Sequence, residues 1–147
     1  KEIIQKLYQA NDAGVKIKMI VRGICSLIPG VPGLSENVEA ISIVDKYLEH
    51  SRILIFCNGG DELYYITSAD WMTRNLDRRI EVACPIFDKD VQREIRDMIE
   101  IQLKDNVKAR IINAEQDNEY VMVNGHERIR SQFELYHYYK NKMQTSK

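Results

Sequence analysis

A chain of 147 residues, 44% hydrophobic and 29% charged, has globular composition and is long enough to bury a core without disulfides or a structural metal, which excludes a disordered tail. Its 21 Lys and Arg against 22 Asp and Glu leave a net charge of −1, so a polyanion would have to be held by a local cluster of cations rather than by the field of the whole protein. No apolar stretch approaches the roughly 20 residues of a membrane-spanning helix and no leader pattern opens the chain, so the cytoplasm is the expected setting.

The chain begins at Lys1 inside a helical pattern (Ile3, Ile4, Leu7, Ala10), which leads us to expect that further sequence precedes it. Gly14 should end that helix, and Val15, Ile17, Met19 and Val21 then alternate with Lys16 and Lys18 as in a half-buried strand. Arg22 and Gly23 follow at the strand's C-terminal end, where ligands collect in open α/β sheets; position alone also fits a solvated strand-end charge. Residues 26 to 38 hold two Pro-Gly pairs and read as a loop. Its apolar members Leu27, Ile28, Val31 and Leu34 imply that it packs down instead of serving as a flexible linker, so one domain over residues 1–147 is expected.

Ala40 to Val44 reads as a short buried strand and Arg52 to Phe56 as another. Asn58-Gly59-Gly60-Asp61 signals a hairpin, because these residues tolerate the positive φ of a tight turn, and Glu62 to Thr67 is the returning strand. His50 thus precedes the hairpin and Ser68-Ala69-Asp70 follows it, so the antiparallel pair should carry both to one end. Trp71 to Leu76 suggests a helical turn, and Arg79 to Ala83 a strand closed by Pro85. Asp88 to Lys104 is the clearest amphipathic helix, with Asp88 as N-cap and Val91, Ile95, Met98 and Ile99 inward. Val107 to Ile112 and Tyr120 to Val123 read as strands, Asn124-Gly125 as a turn, and Glu127 to Met143 as a last helix with Ile129, Phe133, Tyr136 and Tyr139 inward.

Cys25, Cys57 and Cys84 are odd in number, far apart and without a Cys-x-x-Cys pair, so buried free thiols in a reducing compartment are expected rather than a metal or redox site. Among the histidines, His126 beside a turn glycine reads as surface loop and His137 among tyrosines as part of a packed helix. His50 stands between a loop and a strand, flanked by Glu49 and by Ser51-Arg52, and an imidazole with its reference pKa of about 6.5 suits proton transfer or phosphate contact. Arg22, Arg52, Arg74, Arg78 and Arg79 all fall near strand ends or the turn after the hairpin. Guanidinium groups match phosphate oxygens in bidentate geometry, which gives a phosphate site as one reading; surface ion pairs with Asp70, Asp77 and Glu81 are the other. A Gly-rich nucleotide loop, a Gly-x-Ser-x-Gly elbow and a His-x-Glu metal pattern are all absent, so nothing reads as a self-sufficient kinase.

Four blocks occur in order: Val21-Arg22-Gly23-Ile24-Cys25-Ser26-Leu27-Ile28-Pro29-Gly30; Ile41-Ser42-Ile43-Val44-Asp45 running into Leu48-Glu49-His50-Ser51-Arg52; Asn58-Gly59-Gly60-Asp61; and Ser68-Ala69-Asp70-Trp71-Met72-Thr73-Arg74 through Glu81. Together they resemble polyphosphate kinase of the histidine-phosphorylated type, and Val107-Lys108-Ala109-Arg110 and Arg130-Ser131-Gln132 extend the likeness over nearly the whole chain. The resemblance implies an α/β fold, a phospholipase-D-like mixed sheet flanked by helices, forming one half of a two-domain catalytic unit. It implies that the phosphorylated histidine lies in a preceding domain, that Arg22 contacts nucleotide phosphates, and that His50 faces the phosphohistidine as the catalytic residue of this part. Phospholipase D itself carries His-x-Lys, an Asp beyond it, and Gly-Ser-x-Asn. Here Arg52, Cys57 and Asp70 replace the lysine, aspartate and asparagine, which argues against a phosphodiesterase while leaving Arg52 and Ser68, with Arg74, as hydrogen-bond donors to phosphate.

The expected function is therefore reversible transfer of the terminal phosphate of ATP to polyphosphate. Mg²⁺ should be bound mainly outside these residues, with no metal ligand among them. The expected partners are ATP, ADP, polyphosphate and the preceding domains of the same enzyme, a homo-oligomer; nucleic acid is not among them. The parent enzyme is expected in the cytoplasm or peripheral to the inner membrane. A rival reading is a non-catalytic domain that binds polyanions or mediates assembly.

Overall fold

The computed structural model describes residues 1–122 and 127–145. Among the described residues, ten α-helices and β-strands occur in the order α1 (Glu2–Asp12), β1 (Ile17–Ile20), β2 (Val38–Ile43), β3 (Ile53–Phe56), β4 (Leu63–Thr67), α2 (Thr73–Arg78), β5 (Ala83–Ile86), α3 (Lys89–Leu103), β6 (Ala109–Ile111) and α4 (Ser131–Thr145). The fold is mixed α/β. Where one mixed sheet is expected, the strands form two three-stranded sheets, β1-β2-β6 and β3-β4-β5. They belong to two compact units, Lys1–Glu49 with Ile99–Lys147, and His50–Met98.

In the first unit, α1 ends as the sequence implies. Gly14 takes φ +80°, its N–H reaches Asn11 O at 2.8 Å, and the Val15 N–H reaches Ala10 O at 3.0 Å, a Schellman-type closure. Strand β1 then runs parallel to β2, from Ile17 opposite Val38 to Ile20 opposite Ile41, and β2 pairs antiparallel with β6. The Pro-Gly loop between β1 and β2 packs down as expected. Leu27 and Ser35 are buried. The Ser35 hydroxyl donates to Ile28 O at 2.6 Å and accepts the Val31 N–H at 3.1 Å, while the Tyr8 hydroxyl accepts the Ile28 N–H at 3.1 Å. Leu27, Val38, Ala40, Ile43 and Ala109 make this unit's core.

Asp105 is the polar centre of the same unit, with no exposure. Its Oδ1 accepts the N–H groups of Val107 (2.9 Å), Lys108 (2.7 Å) and Ala109 (3.0 Å), and its Oδ2 accepts the N–H (2.8 Å) and hydroxyl (2.7 Å) of Ser131. One carboxylate thereby folds the chain into β6 and caps the start of α4. Beside it, Asn106 N–H donates to Ile129 O at 3.0 Å and its side chain accepts the Ile129 N–H at 2.8 Å and donates to Glu127 O at 2.9 Å. Arg130 then makes a bidentate pair with Asp45 at 2.8 and 2.6 Å. Gln132 brackets the Tyr47 backbone at 3.0 and 2.8 Å, and Glu49 accepts from Gln132 at 2.7 Å and from Gln102 at 2.9 Å.

In the second unit, β3 and β4 form the expected antiparallel hairpin, Ile53 opposite Ile66 through Phe56 opposite Leu63. Asn58, Gly59 and Gly60 all hold positive φ (44°, 67° and 104°), the conformation that selects these residue types. Strand β5 pairs with β4 at the edge. Asp88 caps α3 by accepting the N–H groups of Asp90 (2.8 Å) and Val91 (3.1 Å). The early turns of α3 are seated on Tyr64, which is buried: Arg96 lies over its ring at 5.6 Å and donates to its hydroxyl at 3.1 Å, while that hydroxyl donates to Glu62 at 2.6 Å. Gln92 reaches back to Ile86 O at 2.7 Å.

Several expectations are corrected. The fifth strand is Ala83–Ile86 rather than Arg79 to Ala83, and Pro85 sits within it, because an edge strand loses nothing by lacking that donor. Val91 is 43% exposed; the buried stripe of α3 holds Gln92, Ile95 and Gln102, with the glutamine amides satisfied by hydrogen bonds. The last helix starts at Ser131, since residues 127 and 129 are engaged by Asn106. Its phase therefore half-buries Leu135 and Tyr138 and exposes Phe133, Tyr136, Tyr139 and His137, the last with its ring against Tyr136. Tyr120 makes a single bridge to Arg110 rather than a strand. Cys57 and Cys84 are exposed, at the hairpin tip and on the edge strand, and only Cys25 is partly buried; all three are free. The readings of Val123, Asn124-Gly125 and His126 lie outside the described residues.

Burial opposes ionisation of Asp105, but the donors from Lys108, Ser131 and Val107 outweigh it and hold the carboxyl below its ordinary value. The depressed folded pKa makes the stabilisation fully present above the unfolded value of about 3.9 and removes it as pH falls through the folded value. Asp105→Ala should cost about 3–5 kcal/mol in urea unfolding at pH 7, the range for a buried charge network that loses its acceptor. The variant's stability should also fall less steeply with acid below pH 4 than that of the parent; an equally steep fall would show that Asp105 is not the group being titrated.

Candidate functional site

The open end of the β3–β4 hairpin gathers several polar side chains of the second unit. Arg52 O accepts the Thr67 N–H at 2.9 Å, which sets the residues before β3 beside those after β4. Ser68 N–H then donates to Val82 O at 2.9 Å, and the Val82 N–H donates to the Ser68 hydroxyl at 3.0 Å, so residues 68 and 82 are fixed to each other just beyond the regular ladder. The Thr67 hydroxyl accepts the Ala69 N–H at 3.0 Å and turns the chain toward Asp70.

On this frame the Arg52 Nε donates to Asp70 Oδ1 at 2.7 Å, in a pair whose side chains are 20% and 27% exposed. One terminal nitrogen donates to His50 O at 3.3 Å, and the two terminal nitrogens lie 3.5 Å from the two ring nitrogens of His50. Guanidinium and imidazole therefore lie side by side, with the imidazole in the exposed residue. Asp70 raises the Arg52 pKa further, chiefly through this hydrogen bond, so the cation is permanent.

A second carboxylate organises the other half. Glu81 accepts the Ser68 hydroxyl at 2.5 Å on one oxygen and the Asn75 amide at 2.7 Å on the other. The Ser68 hydrogen bond first, then that of Asn75, hold Glu81 below the ordinary glutamate range, with Arg79 and Arg52 adding to the effect. Asn75 is buried, and its Oδ1 has no partner among the described residues. The result is a guanidinium and a hydroxyl, each oriented by its own acid, next to an imidazole. An incoming anionic oxygen can take these donors in competition with the carboxylates.

The structure thus brings His50, Arg52 and Ser68 into one cluster in the second unit. Arg74 is exposed on the first turn of α2. Arg22 is half-buried in the first unit, just after β1, where the Val21 N–H still pairs with Ile41 O at 2.8 Å. Of the two readings offered for the arginines, the ion pair exists for Arg52 with Asp70, and it lies inside the cluster rather than apart from it. Asn75 is the member that sequence reasoning did not place, because an amide on a short helix after a strand end carries no pattern of its own. Among the described residues no group of three or more His, Cys, Asp or Glu side chains is arranged to hold a metal, and no helix is long and apolar enough to cross a membrane.

Residues 1–132 match the family model described as polyphosphate kinase C-terminal domain 2. The polyphosphate kinase of Vibrio vulnificus (strain YJ016) is 52% identical over 141 residues, covering 96% of this chain and 20% of that protein. The polyphosphate kinase of Escherichia coli (strain K12) is 49% identical over 141 residues, with the same 96% and 20% coverage. A crystal structure of polyphosphate kinase from Porphyromonas gingivalis superposes with a TM-score of 0.95 at 50% identity, over 99% of this chain and 22% of that one. The chain spans about a fifth of the length of these relatives. On a match that covers all the described residues up to the second position of α4, with half the residues identical to named relatives, the chain belongs to the polyphosphate kinase family, in the portion termed C-terminal domain 2.

Proposed function

We propose that this chain is the C-terminal catalytic portion of an ATP:polyphosphate phosphotransferase, acting on a phosphohistidine carried by a part of the enzyme outside these 147 residues. In the first half-reaction that histidine attacks the terminal phosphorus of ATP and ADP leaves; in the second, the terminal oxygen of polyphosphate attacks the phosphohistidine and frees the imidazole. Both steps run in either direction. The observation that carries the reading is the placement of His50, Arg52 and Ser68 in one cluster of a chain that belongs to this family.

In this reading the chain is a phospholipase-D-like portion of the enzyme, half of a paired catalytic unit. His50 supplies a proton or a hydrogen bond to the phosphoryl group, and Arg52 beside it supplies permanent positive charge for the oxygens over which negative charge spreads. Ser68, with its hydroxyl aligned by Glu81, and Arg74 add donors to the phosphate chain. Arg22 clamps the nucleotide phosphates. Any Mg²⁺ is expected to accompany the nucleotide and to be bound mainly outside these residues. The same reading has the complete enzyme work in the cytoplasm as a homo-oligomer, with ATP, ADP and polyphosphate as its partners and no role for nucleic acid.

Without the histidine nucleophile that divides the transfer into two steps, purified residues 1–147 should make no polyphosphate from ATP and Mg²⁺, while the complete enzyme does. ATP-dependent polymer formation by the purified chain would overturn the assignment of the nucleophile. In the complete enzyme, Arg22→Ala should weaken ATP or polyphosphate binding by roughly ten- to a hundredfold at every pH, the loss of one charge-assisted hydrogen bond. His50→Ala should lower kcat and flatten one limb of the pH–rate profile. An unchanged pH profile with full turnover in His50→Ala would remove His50 from the transfer.

A further inference from the structure

Packing alone does not explain how Asn75 is placed. Its side chain is buried, 3% exposed, and its Oδ1 has no hydrogen-bond partner among the described residues, so a carbonyl has lost water and gained nothing in return. Asn11 in the first unit is as deeply buried and uses both ends of its amide, accepting the Asn37 N–H at 2.8 Å and donating to Asp12 at 3.4 Å. At Asn75 the amide is turned toward Glu81, to which Nδ2 donates at 2.7 Å. The opposite turn would set the carbonyl against that carboxylate, so the orphaned oxygen is a consequence of serving Glu81. The other oxygen of Glu81 takes the hydroxyl of Ser68, whose own oxygen accepts the Val82 N–H at 3.0 Å. A hydroxyl has one proton to give, and here Glu81 holds it.

We infer that Asn75 is a positioning residue for phosphoryl transfer, which keeps Glu81 in place when a phosphate oxygen takes the Ser68 proton from it; the inference rests on the reading of Ser68 as a hydrogen-bond donor to phosphate. A carboxylate with Ser68 as its one donor would either keep that hydroxyl or, on losing it, turn away or take up a proton. A second donor on the other oxygen removes that choice. The amide is neutral and buried, so it neither titrates nor competes with Ser68 for the phosphate. The charges around Glu81 act in the same sense. Arg79 after α2 and Arg52 before β3 both favour its ionised form, while Asp70 pairs with Arg52 and His50 lies beside that guanidinium. An unsatisfied buried acceptor kept within a cluster of this kind is a local departure from good packing that a functional duty accounts for.

A double-variant cycle in the complete enzyme tests this, with Ser68→Ala and with Asn75→Leu, which keeps a branched side chain and removes the amide. Asn75→Leu abolishes the unsatisfied oxygen, so the thermal midpoint should not fall, while kcat/KM for polyphosphate synthesis should drop roughly tenfold, the loss of one hydrogen bond to a charged group. In the Ser68→Ala background the same substitution should change kcat/KM by less than about twofold, because the group it works through is gone. Equal losses in both backgrounds, with or without a lower midpoint, overturn the inference. So does full activity of Asn75→Leu beside an impaired Ser68→Ala. Full activity of Ser68→Ala overturns instead the reading of Ser68 itself, and the inference with it. If Asn75→Leu does not fold, Asn75→Asp decides. Its carboxyl would share one proton with Glu81 and donate as the amide does, so kcat/KM should stay near the parent's at low pH and fall as rising pH removes that proton. This new limb should persist when His50→Ala is added. A pH–rate profile of Asn75→Asp identical to the parent's overturns the inference.

Discussion

A single buried carboxylate sets the form of the first unit. Asp105 has five donors from two stretches of chain, the residues that lead into β6 and the residue that opens α4, and it has no exposure to water. Burial alone would force such a group to take up a proton. The hydrogen bonds reverse that preference, so the charge becomes the reason both stretches adopt one arrangement. Once Ser131 is held, its neighbours have little choice. Arg130 meets Asp45 and Gln132 meets Tyr47, and each of these contacts joins residues 85 positions apart.

The second unit uses acids differently. Asp70 and Glu81 are not buried hubs; each orients one donor, Arg52 and Ser68 respectively, at the open end of a hairpin. The acids are in contact with water, so their bonds can be exchanged for those of an anion at modest cost. A buried acid that cannot be released and two partly exposed acids that can be displaced are the same residue types given opposite duties by their surroundings.

Much of this was legible in the residues. The Asn58-Gly59-Gly60 turn, the cap at Asp88 and the packed Pro-Gly loop each depend on local backbone chemistry, and local chemistry is what a sequence displays. His50, Arg52 and Ser68 were brought together by one inference, that an antiparallel pair returns to where it began. What could not be read depends on long-range facts. Pro85 stops a central strand but not an edge strand, and edge position is a property of the sheet. Gln92 and Gln102 look like the polar side of α3 until Ile86 O and Glu49 are seen to receive them. The phase of α4 was misread because Asn106 holds Glu127 and Ile129 out of the helix from more than twenty positions away.

The ties made by Arg130, Ser131 and Gln132 also impose an order on biosynthesis. Every strand pairing of the second unit is closed by the time Ile86 has been made, because its sheet is built from neighbouring strands alone. The first unit cannot complete its contacts until residues 130 to 132 have left the ribosome, long after Asp45 and Tyr47 emerged. Domains fold as units during synthesis, and local pairings form before distant ones. The middle of the chain should therefore be structured while its flanks still wait for each other, and a ribosome that stalls before residue 130 would leave a nascent chain with the His50 cluster in place and the Asp105 hub unfinished.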